Sequence, residues 1–220
     1  MASRLSASQK IFLAELAGTF LIVVFATGSV VIDARAGGIL GTPFAAIAPA
    51  IAVSLMVRAF GKISMAHFNP AVTVAFVISK HTSLRRFPVY LAAEIAGALL
   101  GSLFVRSFIG TDANLGANAP NYSFTLPLIF GIEVLATALL MGVIYAVVYT
   151  KGLKGFGPYA IGAIIGLDIM FLSFISGASM NPARALAPAL LSGFVSDLWI
   201  YWSATFVGSS ITAMIFKKIW

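Results

Sequence analysis

Apolar residues fall along this chain in blocks rather than in alternation. Six blocks are roughly Ile11–Ile32, Phe44–Phe60, Phe87–Phe108, Phe124–Tyr149, Gly157–Ser176 and Leu198–Phe216. Each approaches or meets the ~20 residues that a helix needs to cross a bilayer. Turn-forming stretches separate them: "DARAGG" from Asp33, "KGLKGFGP" from Lys151, and the longer polar "GTDANLGANAPN" from Gly110. The pattern predicts an all-α membrane protein with six transmembrane helices. Two further blocks, Pro70–Ser79 and Pro182–Leu191, are apolar but short. At about ten residues each they rise ~15 Å, half of a ~30 Å hydrocarbon core. Both open on Asn-Pro. Proline suits the first helical position because its missing N–H would have lacked a partner there, and asparagine is a good N-cap. The reading is a pair of re-entrant half-helices whose tips, Asn69 and Asn181, lie inside the membrane. Irregular backbone survives at that depth only when buried in protein or lining a wet cavity.

Composition strengthens this picture. Hydrophobic residues make up 60% of the 220 residues and charged ones 10%, against about 25% charged in soluble domains. Cysteine is absent, which excludes disulfides and thiolate chemistry. With two histidines and isolated acids, no cluster suggests an enzyme, a metal site or a cofactor. The net charge of +7 comes from basic residues scattered singly between apolar runs, which points to membrane topology rather than nucleic acid. Placing both termini in the cytoplasm puts Arg4, Lys10, Arg58, Lys62, Lys80, Arg85, Arg86, Lys151, Lys154, Lys217 and Lys218 inside or at that edge, leaving Arg35, Arg106 and Arg184 outside. The run after "MASRLSASQK" is too long for a signal peptide and reads as a retained first span. Asn121-Tyr122-Ser123 matches a glycosylation sequon, a three-residue pattern that a polar loop matches by chance.

The chain also repeats itself. The two Asn-Pro-Ala motifs, Asn69-Pro70-Ala71 and Asn181-Pro182-Ala183, are 181 − 69 = 112 residues apart. Glu15 in the first span matches Glu133 in the fourth, and Gly97 in the third matches Gly208 in the sixth. The expected organisation is one channel-like domain over 1–220, made of repeats at approximately 1–118 and 119–220. Three spans per half is an odd number, so the halves run in opposite directions. Paired broken helices in an inverted repeat place a site near the midplane, at the repeat interface. Gly97, Gly101, Gly162 and Gly166 form small-xxx-small pairs, a signal of close helix packing.

These paired motifs, with the second extended to Asn-Pro-Ala-Arg, resemble the aquaporin (major intrinsic protein) family over nearly the whole chain. The intermediate pattern is similar to water-type or archaeal members. The resemblance implies an hourglass pore in each subunit, a homotetramer in the plasma membrane, and passage of water and small neutral solutes. Met65, Ala66 and His67, with Gly177, Ala178 and Ser179, would line the pore, mainly through carbonyls. Glu15 and Glu133 would hold the re-entrant backbone by accepting its N–H groups. Arg184, a cation deep in an apolar block, would stand at the outer constriction. Ungapped alignment on the motifs gives a filter of Pro49, Ile169, Ala178 and Arg184, wider and less polar than a strict water filter. Ala185 and Ala189 stand where glycerol channels carry Asp and Lys, and Tyr201-Trp202 follows the water-type pattern. Glu94 replaces a more usual Gln, and Asp168, beside Ile169, is expected to face a neighbouring helix. A water channel with a relaxed filter, a glycerol facilitator and a proton-coupled transporter all remain open at this point.

Overall fold

The computed structural model describes residues 5–153 and 155–219. Arg4 and Lys154, two of the cations used to orient the chain, lie outside the described residues. The described chain is all helical. The elements are α1 (Ala7–Arg35), α2 (Gly41–Ser64), α3 (Pro70–Ile78), α4 (Phe87–Phe104), α5 (Asp112–Gly116), α6 (Leu126–Tyr149), α7 (Gly157–Ser176), α8 (Pro182–Ser192) and α9 (Leu198–Ile219). Six stretches are long and apolar enough to cross a membrane: α1, α2, Leu84–Ile109 around α4, α6, α7 and α9. This is a multi-pass membrane protein. α3 and α8 are the two short helices expected from the sequence.

Local chemistry explains most boundaries. Ser6 and Gln9 form a reciprocal capping box at the start of α1. Prolines stand in the first turn of α3, α4, α6, α7 and α8. Gly193, with φ 79°, ends α8 in the left-handed region. The third span is less regular than its apolar run suggests. It opens with a 3₁₀ turn at Leu84–Arg86 and closes with a π turn at Val105–Ile109. The Arg35 guanidinium donates to the Ile109 carbonyl and pairs with Asp112, which fastens this end of the span to α1. α5 is a single left-handed turn, with Ala113, Asn114 and Leu115 at φ 48°, 51° and 61°. Such a run is costly for L-residues. It is held by Leu115, buried against Val31 and Val105, and by Gly116, which lies flat on the Thr27 backbone.

Helices cross at glycines. Gly97 rests on the backbone of Leu16 and Phe20, Gly162 on Ala50, and Gly208 on Val134. These close crossings bring α1, α4, α6 and α9 around the two half-helices. α2 and α7 close the remaining side, and their outer faces are apolar and exposed at Ile47, Ile51, Leu55, Leu167, Phe171 and Phe174. A cavity of about 880 Å³ passes through this arrangement. Its lining includes Gly41, Ala45, Pro49, Val53, Val57, Gly61 and Lys62, one face of α2 from its first turn to its last. At ~1.5 Å per residue that face spans ~32 Å, the depth of a bilayer core.

Candidate functional site

The tips of α3 and α8 meet inside this cavity. Asn69 caps α3 by accepting from the Ala71 N–H, and Asn181 caps α8 by accepting from Ala183 and Arg184. Each amide nitrogen then reaches across to the other half. Asn69 Nδ2 donates to the Met180 carbonyl at 2.8 Å, and Asn181 Nδ2 donates to the Phe68 carbonyl at 2.9 Å. Capping fixes the oxygen and the cross-bond fixes one N–H. The second N–H of each amide remains, on a side chain that lines the cavity.

The four residues before each asparagine adopt matching and unusual backbone. Met65, Ala66 and Phe68 have φ of 68°, 54° and 52°; Gly177, Ala178 and Met180 have φ of 92°, 44° and 54°. Five of these six left-handed residues carry a side chain, at a cost on the order of 1–3 kcal/mol each. The fold offsets the strain with hydrogen bonds that are the same in both segments. The Ser64 and Ser176 hydroxyls accept from Ala66 and Ala178 N–H. Tyr90 and Tyr201 donate to the carbonyls of Ser64 and Ser176. The Glu15 carboxylate accepts from the N–H groups of His67 and Phe68, at 3.0 and 2.6 Å. That of Glu133 accepts from Ser179 and Met180, at 3.0 and 3.3 Å. The N–H groups of Ala66, His67, Phe68, Ala178, Ser179 and Met180 are thus taken on the buried side. Among the described residues, the carbonyls of Met65, Ala66, His67, Ala178 and Ser179 accept no hydrogen bond, and these residues line the cavity.

The first half carries an extra layer. Glu94, fully buried on α4, accepts from the Asn69 N–H and from the Thr73 hydroxyl at 2.6 Å. Thr73 Oγ1 also meets His67 Nδ1 at 2.9 Å. The hydroxyl proton goes to Glu94, so Nδ1 is the donor in that contact. His67 is 4% exposed and sandwiched between the rings of Phe76 and Tyr90, so it forms a rigid part of the wall.

At the other end, Pro49, Ile169, Ala178 and Arg184 all line the cavity. No aromatic residue adjoins Pro49 in sequence, since its neighbours are Ala48 and Ala50. Asp168 is buried and does not line the cavity.

The profile of the major intrinsic proteins matches residues 2–216. The chain belongs to the major intrinsic protein family. Relatives of this major intrinsic protein include Aquaporin NIP1-1 of Zea mays, 38% identical over 96% of this chain and 74% of its own. Aquaporin NIP1-4 of Oryza sativa subsp. japonica is 35% identical over 96% of this chain and 77% of its own. Among solved structures, the aquaglyceroporin from Plasmodium falciparum superposes with a TM-score of 0.82, covering 96% of both chains at 24% identity. The aquaporin fold is therefore the right description. Members of this family are channels, not enzymes, and the present protein is a channel for water and small solutes.

This major intrinsic protein also uses a residue that sequence reasoning missed. Asn118, in the loop after α5, accepts from the Arg184 guanidinium through Oδ1 and donates through Nδ2 to the Gly177 carbonyl at 2.9 Å. It ties the Arg184 cation to the backbone at Gly177 and occupies one lone pair of the Gly177 carbonyl, so that carbonyl is less open than its neighbours. The left-handed turn of α5 sets where Asn118 enters. Asn121, of the sequon, is engaged as well: its amide donates to Phe174 and accepts from the Ser123 N–H.

Proposed function

We propose that this channel conducts water and small neutral solutes such as glycerol in single file, while excluding protons and ions. The observation that carries the reading is the reciprocal Asn69–Met180 and Asn181–Phe68 bonding of two half-helix tips inside one cavity. Each helix end presents about +0.5 of an elementary charge, so two facing ends repel a cation. A water oxygen between them accepts from both remaining amide N–H groups. Its own hydrogens then point away, toward the carbonyls of Met65, Ala66 and His67 on one side and Ala178 and Ser179 on the other. The file of waters reverses direction at the centre, which opposes proton hopping. The general logic of half-helix ends and pore-lining acceptors is shared with other selective channels.

In this reading Arg184 is the donor and cation barrier of the filter, held by Asn118. Glu15 and Glu133 are scaffolds rather than proton carriers, because both oxygens of each are committed to backbone N–H groups. The halves 1–118 and 119–220 are inverted copies, the termini face the cytoplasm of a plasma membrane, and four copies assemble through the apolar faces of α2 and α7. The named relatives, all aquaporins, are consistent with water as a permeant.

The filter favours admitting solutes larger than water, since three of its four members are apolar and two are small. Osmotic shrinkage of proteoliposomes in a stopped-flow device tests the channel itself. Flux no faster than in empty vesicles, with solute uptake that follows a pH gradient, would favour a coupled transporter instead. Ile169→His is expected to lower the glycerol-to-water permeability ratio by about tenfold, because a longer, polar ring reaches further into the passage and replaces apolar wall with a hydrogen-bonding group. An unchanged ratio would count against the filter assignment. Asn118→Ala releases a charge-assisted hydrogen bond worth ~1.5–3 kcal/mol, and is expected to shift the same ratio by about threefold or more. Wild-type selectivity in that variant would mean that Arg184 is positioned without Asn118.

A further inference from the structure

We propose that the groove between α6 and α9, at the end where both helices finish, is a binding site for an anionic phospholipid. A second cavity, of about 280 Å³, lies there on the outer surface of the protein. Gly142 and Ala146 form its floor, and Ile215 and Ile219 stand at its sides, 54% and 71% exposed. The wall behind them is stiff, because Tyr145 stacks on Phe216 with ring centroids 4.1 Å apart and planes 2° from parallel.

Gly142 is the informative residue. Glycine inside a helix is less stable than alanine. At Gly97 or Gly208 the crossing of another backbone demands it. At Gly142 an added Cβ would meet nothing within 4 Å. No packing within this chain requires the glycine here, and on the floor of the groove its missing side chain keeps the groove deep. From Gly142 to Thr150 the floor runs ~12 Å, enough for the upper part of an acyl chain.

Lys151 follows the groove residue Thr150, and Lys217 and Lys218 lie on α9 between the groove residues Phe216 and Ile219; all three are exposed. The only ion pair among the described residues is Arg35–Asp112, far from this end in the fold. No acid lies between Glu133 and Asp168 or between Asp197 and Lys218 in sequence, and none of these three lysines is in an ion pair among the described residues. A mostly apolar groove edged by exposed cations fits a ligand with a long apolar tail and an anionic head, and basic sites between membrane helices take such lipids.

Native mass spectrometry of the full chain tests this, with phosphatidylglycerol and phosphatidylcholine of matched acyl chains offered in competition. The wild type is expected to retain phosphatidylglycerol in preference by about tenfold. Gly142→Leu, which fills the groove, and the triple variant Lys151→Gln/Lys217→Gln/Lys218→Gln are each expected to lose that preference. Water flux should persist in both, because none of these residues lines the large cavity. Equal retention of the two lipids by the wild type, or a preference that survives the lysine variant, overturns the proposal. So does a Gly142→Leu protein that sheds subunits instead of lipid, which would assign the groove to a neighbouring copy.

Discussion

A Glu133→Leu channel is expected to be closed to water and markedly less stable than the wild type. Its carboxylate is fully buried, and it accepts from Ser179 N–H at 3.0 and 3.1 Å and from Met180 N–H at 3.3 Å. Leucine keeps the volume and removes the acceptor. Two buried N–H groups would then lack partners, each costing ~1–3 kcal/mol, and no bulk water reaches that side of the segment. Against a typical stability of ~5–15 kcal/mol, the loss is large. The left-handed residues Gly177, Ala178 and Met180 are held in place by the same bonds, so their carbonyls and the Asn69 cross-bond would shift together. Stopped-flow shrinkage near the empty-vesicle rate, with a lowered thermal midpoint on size exclusion, is the expected result. Glu133→Gln keeps one accepting oxygen and should fall between the two. A leucine variant with normal flux and midpoint would remove the carboxylate from the scaffold.

The other large effect concerns helix crossings. Gly97→Val and Gly208→Val would each drive a Cβ into a carbonyl oxygen of the opposing helix, that of Leu16 or Val134. Ordinary overpacking costs ~1–3 kcal/mol because side chains can yield, whereas here two backbones must separate. Each variant is expected to fail to give monodisperse protein after extraction. Gly131→Ala is the matched control: nothing lies within 4 Å of its added Cβ, so stability should hold or rise by up to ~1 kcal/mol. If the valine variants behave like the control, the helices do not cross in backbone contact at these glycines.

These two experiments probe what the sequence reveals most and least readily. Hydrophobic run length gives the six spans, and Asn-Pro gives the start of each half-helix to the residue, because a capping side chain and a missing N–H are local requirements. Boundaries elsewhere differ by a few residues, since α1 extends to Arg35 and α2 to Ser64 through polar turns that composition alone would leave as loops. The left-handed turns before Asn69 and Asn181 are not legible. Only one of the six residues is glycine, the usual marker of positive φ. Their geometry is imposed by serines, tyrosines and glutamates spread over six helices, α1, α2, α4, α6, α7 and α9. Asn118 is hidden for a similar reason. It lies 66 residues before Arg184 in a polar loop, and only the fold of α5 brings the two together. The tie from Glu94 through Thr73 to His67 likewise joins α3 and α4 in a way that no spacing announces.

The crossed amide bonds at the centre bear on how the protein comes to exist. Asn69 needs Met180, and that partner is synthesised 111 residues later. A ribosome therefore releases the first re-entrant segment into lipid well before its acceptor has been made. During that interval the nascent chain must shelter an unfinished, polar hairpin, whether in the insertion machinery, at the bilayer surface or among its own early spans. Biogenesis, as much as conduction, then sets which sequences this architecture can tolerate.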